Sequence, residues 1–298
     1  MGPVWRVAVY CVIVLIGGAL LAPWLYAAAQ SAAQYNSTAA NFAGQPFHRF
    51  VNRAMLGLAL LGIWPLMRSI GIDSWLTVGL APARRRFSNL ATGYAFGFGS
   101  LACVAAITVA AGVRHWAIDG DVARAILAAG ASAVVIAMIE EVLFRGALFG
   151  AIRTALSLPV AVIVSSVVYA FVHFFERPPA PEVVEWTTGV VTLGKMLVGF
   201  TEIGQLIPAF FTLLLAGVIL ALAYQYTGTL YFSIGLHAGW IFWLKMYRTT
   251  TTGNGQTPAS FWGTGKLIDG WLAVATMGLL LLGLHLWQRR DVKESHAC

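Results

Sequence analysis

The chain has 298 residues, 59% of them hydrophobic and only 10% charged, with a formal net charge of +7 and a mean hydropathy of +0.76. A soluble domain carries roughly 25% charged residues, so this composition excludes a water-soluble globule and points to an all-α polytopic membrane protein. Nucleic-acid binding is excluded too. The only Arg run, Arg84, Arg85 and Arg86, has no interleaved aromatics and reads as a topology signal at a cytoplasmic helix end.

In chain order, apolar stretches of about 20 residues, the length that spans a bilayer, lie at roughly 4–29, 50–71, 89–113, 122–144, 157–176, 205–226, 229–248 and 268–288. The expected fold is a helical bundle of about eight transmembrane helices forming a single integral membrane domain over 1–298. The first stretch ends in "YAAAQ", which resembles a leader cleavage site, but its apolar run is too long for a leader, so a retained helix is expected. The fourth runs on to about residue 154. "RPPAPE" (177–182) is a helix stop, because proline cannot continue the hydrogen-bond ladder. "TTTTGNGQTPAS" (249–260) reads as a flexible loop of turn-formers. With eight spans the 72–88 loop and both termini share one side. Arg6, Arg84 to Arg86, Arg289, Arg290 and Lys293 mark that side as cytoplasmic, and a bacterial or archaeal cell membrane is the expected setting. Cys11, Cys103 and Cys298 make neither a metal spacing nor a disulfide framework.

Charge inside a span costs about 2.5–3.5 kcal/mol on insertion scales, so the ionisable residues there need a partner or a task. The stretch "IEEVLFRGALFG" (139–150) holds Glu140, Glu141 and Arg145. Glu141 and Arg145 are i and i+4, with the acid N-terminal to the base, so they share a face and pair. Glu140 is rotated about 100° away and is left as a carboxylate able to act as a general base. On "SSVVYAFVHFFE" (165–176), His173 follows Tyr169 by one turn. On "YFSIGLHAGWIFWLKMY" (231–247), His237 is flanked by Gly235 and Gly239, small residues that let membrane helices approach closely. Lys245, Glu176, Arg49, Arg53 and His285 lie near helix ends, where long side chains can reach water. Each histidine taken singly reads more readily as a satisfied core residue than as a ligand, because neutral imidazole is cheap to bury.

Depth ties these groups together. Glu140 is 17 residues before the turn near Ser157 and His173 is 16 after it, so both lie ~25 Å from that turn. His237 is 9 residues beyond the turn near Gly228, ~15 Å by the same rise. Either that turn is sunk into the membrane or the helices tilt.

The sequence resembles the CPBP family of CAAX proteases and bacteriocin-processing membrane proteins, also called Abi proteins. That family is marked by EExxxR, FxxxH and HxxxN on successive membrane helices. Here the first motif is Glu140, Glu141 and Arg145; the second is "YAFVH", with Tyr169 where Phe is usual and His173 in place; the third is "HAGWI", with His237 in place and Ile241 where Asn is usual. The resemblance covers about 100 residues and sets the catalytic core at 122–248. It implies an intramembrane endopeptidase in which Glu140 activates water, His173 orients or co-activates it, and His237 donates to the oxyanion. Glu141, Arg145 and Tyr169 then support the site. A zinc ion held by Glu140, His173 and His237 is the metal-dependent version; the metal-free version is slightly preferred. Ile241 leaves the oxyanion donor to another group, such as the indole of Trp240 or Trp243.

The partners implied are a peptide or protein substrate presented at the membrane and the lipid bilayer. The alternative reading is a non-catalytic immunity or scaffold protein that binds peptide in the same chamber. A transporter or proton relay built on Glu140 and His173 is the third; the broken helices and inverted repeats often seen in such proteins are not visible.

Overall fold

The structure, a computed structural model, describes residues 2–80, 86–118, 120–197, 203–255 and 258–295. Arg84, Arg85 and Cys298 lie outside these residues. In chain order the helices are α1 (Pro3–Ala33), α2 (Ser37–Ala43), α3 (Phe47–Ser69), α4 (Phe87–Ala110), α5 (Val122–Arg153), α6 (Leu158–Val172), α7 (Thr188–Met196), α8 (Ile203–Thr227), α9 (Leu230–Thr250), α10 (Ala259–Trp262) and α11 (Trp271–Ser295). Two short strands, β1 (Arg114–Trp116) and β2 (Thr251–Gly253), pair antiparallel.

Helices occupy all eight apolar segments. Among the described residues, α1, α3, α4, α5 and the Leu206–Thr227 part of α8 are long and apolar enough to cross a membrane, and α6 and the Trp271–Trp287 part of α11 are shorter apolar helices. The chain is therefore an all-α integral membrane protein. It forms two compact units, one of residues 1–73 with 172–201, the other of residues 74–171 with 202–298.

In the first unit α1, α2, α3 and α7 enclose an apolar core. Phe47, Phe50, Val51 and Ala54 of α3 meet Ala19 and Ala22 of α1 and Leu193 and Met196 of α7. Tyr26 lies edge-on to both Phe47 and Phe50, at 5.6 and 5.2 Å between ring centres. Asn36 starts α2, its side chain accepting a hydrogen bond from Thr38 N at 2.7 Å, the usual device for satisfying a free helical N–H.

The second unit is built around α9, with 14 of its 21 residues buried. On one side it crosses α4 at backbone contact distance. A methyl group on Gly97 would lie 2.9 Å from Leu236 Cα, and one on Gly235 would lie 2.8 Å from Tyr94 N. Gly93 and Gly239 face the partner backbone in the same way. Four glycines thus give van der Waals contact where the hydrophobic effect supplies no drive between helices. On the other side α9 runs antiparallel to α5. Lys245 meets Ser132, His237 meets Glu141, and Leu230 lies beside Gly146, so contacts ascend one helix as they descend the other.

Two expectations change. The span foreseen over 157–176 ends as a helix at Val172, with His173 and Phe174 in a turn. Phe175 packs on the core of the first unit and Glu176 N donates to Met196 O at 2.8 Å, so the chain is drawn out of the helix before its prolines. The 249–260 segment is not simply a flexible loop: Arg114 holds Thr251 through Nε to Oγ1 at 2.8 Å and Nη2 to the carbonyl at 2.5 Å. Its guanidinium also lies 4.8 Å from the Tyr247 ring centre.

Candidate active site

α5 changes register at the site. It is α-helical to Glu141 and a π-helix from Val142 to Phe149; such wide turns are frequent at functional sites. Glu141 ends the α-helical part and points inward, fully buried, whereas the Glu140 side chain keeps 24% of its exposure. The rotation between adjacent helical positions separates the two carboxylates as expected.

Arg145 Nη1 donates to Glu141 Oε1 at 3.0 Å, both side chains buried, which is the i, i+4 pair read from the sequence. His237 adds what the sequence reading missed. Its Nδ1 lies 2.9 Å from the same Glu141 oxygen, so Glu141 is shared by a cation of its own helix and the imidazole of α9. The second ring nitrogen, Nε2, lies 3.7 Å from Glu140 Oε2 and 3.3 Å from the Tyr169 hydroxyl. With Nδ1–H donating to Glu141, the other nitrogen is held facing Glu140 and Tyr169.

Tyr169 reaches the site from α6. That helix approaches α8 closely, because a methyl on Gly217 would lie 2.8 Å from Ser166 Cβ. The Tyr169 ring is edge-on to Phe144 at 5.2 Å and lies 4.3 Å from the Arg145 guanidinium carbon. Cation–π contact of this kind is strengthened by desolvation, and it fixes the ring that carries the hydroxyl. Glu141 Oε2 and Arg145 Nη2 are buried without a hydrogen-bond partner among the described residues. Unmet buried polar atoms are uncommon in native structures.

The turn between α8 and α9 explains the depth of His237. Leu230 N donates to Gly79 O at 3.0 Å, and both Val78 and Leu230 lie against Gly146. The turn is thus level with Gly146, 11 residues short of Ser157, or ~16 Å along α5. Residues 78–79 pack beside this turn.

Ile241, one turn beyond His237, is buried with Ala133, Ala137, Leu230, Ile234 and Ala238. Trp240 already gives its indole N–H to Ser100 Oγ at 2.9 Å. The Trp243 indole nitrogen is buried without a partner among the described residues, in a ring 5.2 Å from that of Phe98. The structure therefore brings together Glu140, Glu141, Arg145, Tyr169 and His237. His173 is exposed in the turn after α6 and belongs to the first unit. Among the described residues no three His, Cys, Asp or Glu side chains are grouped to hold a metal ion.

Residues 122–243 match the family model described as Type II CAAX prenyl endopeptidase Rce1-like. The match runs from the start of α5 into α9 and includes every residue of the site. No curated protein and no solved structure matches the chain.

Proposed function

We propose, from the match of residues 122–243 to the Rce1-like CAAX endopeptidase family model, that this membrane protein is an intramembrane endopeptidase that cuts membrane-presented peptides with a glutamate-activated water. The observation that carries the proposal is the placement of Glu140 Oε2 opposite His237 Nε2 at 3.7 Å, with Glu141 and Arg145 buried behind the histidine.

In this mechanism Glu140 takes a proton from water, and the hydroxide attacks the scissile carbonyl carbon. The carbonyl oxygen becomes an oxyanion facing His237 Nε2–H and the Tyr169 hydroxyl. As the tetrahedral intermediate collapses, the C–N bond breaks and Glu140 returns the proton to the leaving amine. The oxyanion hydrogen bond calls for a hydrogen on Nε2 as well as the Nδ1–H that faces Glu141. Tyr169 supplies the second donor at a site where Ile241 supplies none. Donors aimed at developing charge are worth roughly 10²–10³ in rate. His173 is proposed to orient the attacking water. No step is routed through a metal.

The buried Ile241 favours one second reading, a peptide-binding protein of the same family without chemistry. Purified protein in proteoliposomes, given quenched peptides with and without a lipid on cysteine, separates the two. Cleavage by the wild type that is absent in Glu140→Gln supports the peptidase. Binding without cleavage supports the second reading.

The termini are proposed to be cytoplasmic, on the distribution of Lys and Arg.

A further inference from the structure

The first unit carries a groove between α1 and α3, outside the segment that matches the family. The two helices run antiparallel and touch backbone to backbone at Gly18, where an added methyl would lie 2.8 Å from Met55 Cα. Toward the start of α1 a ring sets the spacing instead: a methyl on Gly62 would lie 2.8 Å from Tyr10 Cε2. The Tyr10 hydroxyl donates to the Ala59 carbonyl at 2.7 Å, so its one donor is turned into the helix pair. Between these two levels α1 widens into a π-helix over Ile13–Gly17. The result is a groove of about 520 Å³ that runs from Arg6 and Ser69 down to Ile13 and Leu58.

The groove is apolar along its length and cationic at its end. Val9, Ile13, Leu58 and Leu61 form the walls, and Ile13 and Leu61 stay exposed on helices long and apolar enough to cross a membrane. Arg6 closes the end, partly buried. Arg68, near the same end of the helix pair, already has Asp73 at 3.0 Å. Among the described residues no carboxylate pairs with Arg6. Trp5, exposed beside it, is a residue type that sits at the headgroup level of a bilayer. From Arg6 to Ile13 is seven residues and from Ser69 to Leu58 eleven, ~10 and ~16 Å of helix. That is about half of the ~30 Å hydrocarbon core, the depth of one leaflet. A partner helix crossing the membrane would need a face about twice as long. The occupant that fits carries an anionic group at the membrane boundary and an apolar tail that ends within the leaflet.

We propose that this groove binds one anionic glycerophospholipid, with the headgroup phosphate on Arg6 and one acyl chain between α1 and α3 along Tyr10, Ile13 and Leu61. A guanidinium suits a phosphate because its N–H groups can meet two oxygens at once. The acyl chain fills the gap that the Tyr10 ring holds open, so the lipid joins the two helices above the Gly18–Met55 contact. A ligand that binds only the folded state stabilises it, and an anionic lipid should therefore raise the unfolding temperature.

The test uses full-length protein, delipidated in detergent and titrated with dioleoyl phosphatidylglycerol or dioleoyl phosphatidylcholine, which share their chains and differ in net charge. Native mass spectrometry counts the bound lipid, and thermal unfolding reads its effect; neither depends on cleavage. The wild type should hold one phosphatidylglycerol with an affinity about fivefold or more above that for phosphatidylcholine, the attraction of one basic residue for anionic lipid. Its unfolding temperature should rise as that first lipid binds. Arg6→Gln should remove the preference and Arg6→Lys should keep much of it. Arg68→Gln, which removes a cation already paired with Asp73, should leave the preference unchanged. Ile13→Trp, which fills the groove, should weaken both lipids. Inorganic phosphate should displace neither. Equal affinity for the two lipids in the wild type overturns the proposal, as does a preference that survives Arg6→Gln or is lost equally in Arg68→Gln. Displacement by inorganic phosphate, or a dimer that holds no lipid, overturns it too.

Discussion

Glu141 and His237, 96 residues apart in the chain, share a buried hydrogen bond of 2.9 Å. Arg145 holds the same Glu141 oxygen at 3.0 Å. Glu141 therefore fixes both α5 and α9, and the neighbouring Glu140 is the carboxylate that faces the outer nitrogen of the imidazole.

Removing either member of the buried pair leaves the other charge without an answer. Glu141→Gln and Arg145→Met should each lower stability by about 3–5 kcal/mol, read as thermal unfolding in detergent. The substitution Glu140→Gln, at a partly exposed position, should leave the unfolding temperature close to wild type. Equal unfolding temperatures for all three variants would show that the pair is not what joins the helices.

Tyr169 and Ile241 are the two departures from the family pattern, and they are predicted to compensate. Tyr169→Phe keeps the ring on Phe144 and Arg145 but deletes the hydroxyl, and kcat should fall by roughly 10². Adding Ile241→Asn to that variant should recover part of the loss, because its side chain leans one turn back toward His237. Ile241→Asn alone should lower stability, since it places an amide among buried alanines and leucine. A Tyr169→Phe variant with unchanged kcat would remove the hydroxyl from the mechanism.

The α4–α9 crossing supplies a matched pair of glycines. Gly97→Ala would set a methyl against the Leu236 backbone and should destabilise by about 1–3 kcal/mol. Gly99, two residues on, has nothing within 4 Å of the added methyl. Gly99→Ala should therefore be neutral or gain up to about 1 kcal/mol from helix propensity. Similar unfolding temperatures for the two variants would contradict the close crossing.

Much of this could be read in the sequence because it is local. The eight apolar segments follow from length and composition, and the Glu141–Arg145 pair follows from a spacing of four. The His237–Glu141 bond could not be read, because it depends on the turn at Gly228 being recessed to the level of Gly146. Val78 and Gly79 pack at that level, and no periodicity marks them for it. The apolar pattern also suggested an unbroken helix to residue 176. The contacts of Phe175 and Glu176 in the first unit end that helix at Val172. The Arg114–Thr251 clamp was hidden for a similar reason: its two halves lie 137 residues apart.

Orientation can be tested without any substrate. In a Cys11→Ser, Cys103→Ser background the remaining thiol is Cys298. A membrane-impermeant maleimide should label it only after the cytoplasmic face is opened. Labelling of intact cells would place the termini outside and reverse the proposal.

The most direct measurement compares cleavage and unfolding in the same preparations of wild type, Glu140→Gln and Glu141→Gln, with and without a chelator. The account predicts that wild type cleaves lipidated peptides in both conditions. Glu140→Gln should unfold like wild type but cleave nothing, and Glu141→Gln should lose both stability and activity. Cleavage by Glu140→Gln at the wild-type rate would contradict the assignment of Glu140 as the base.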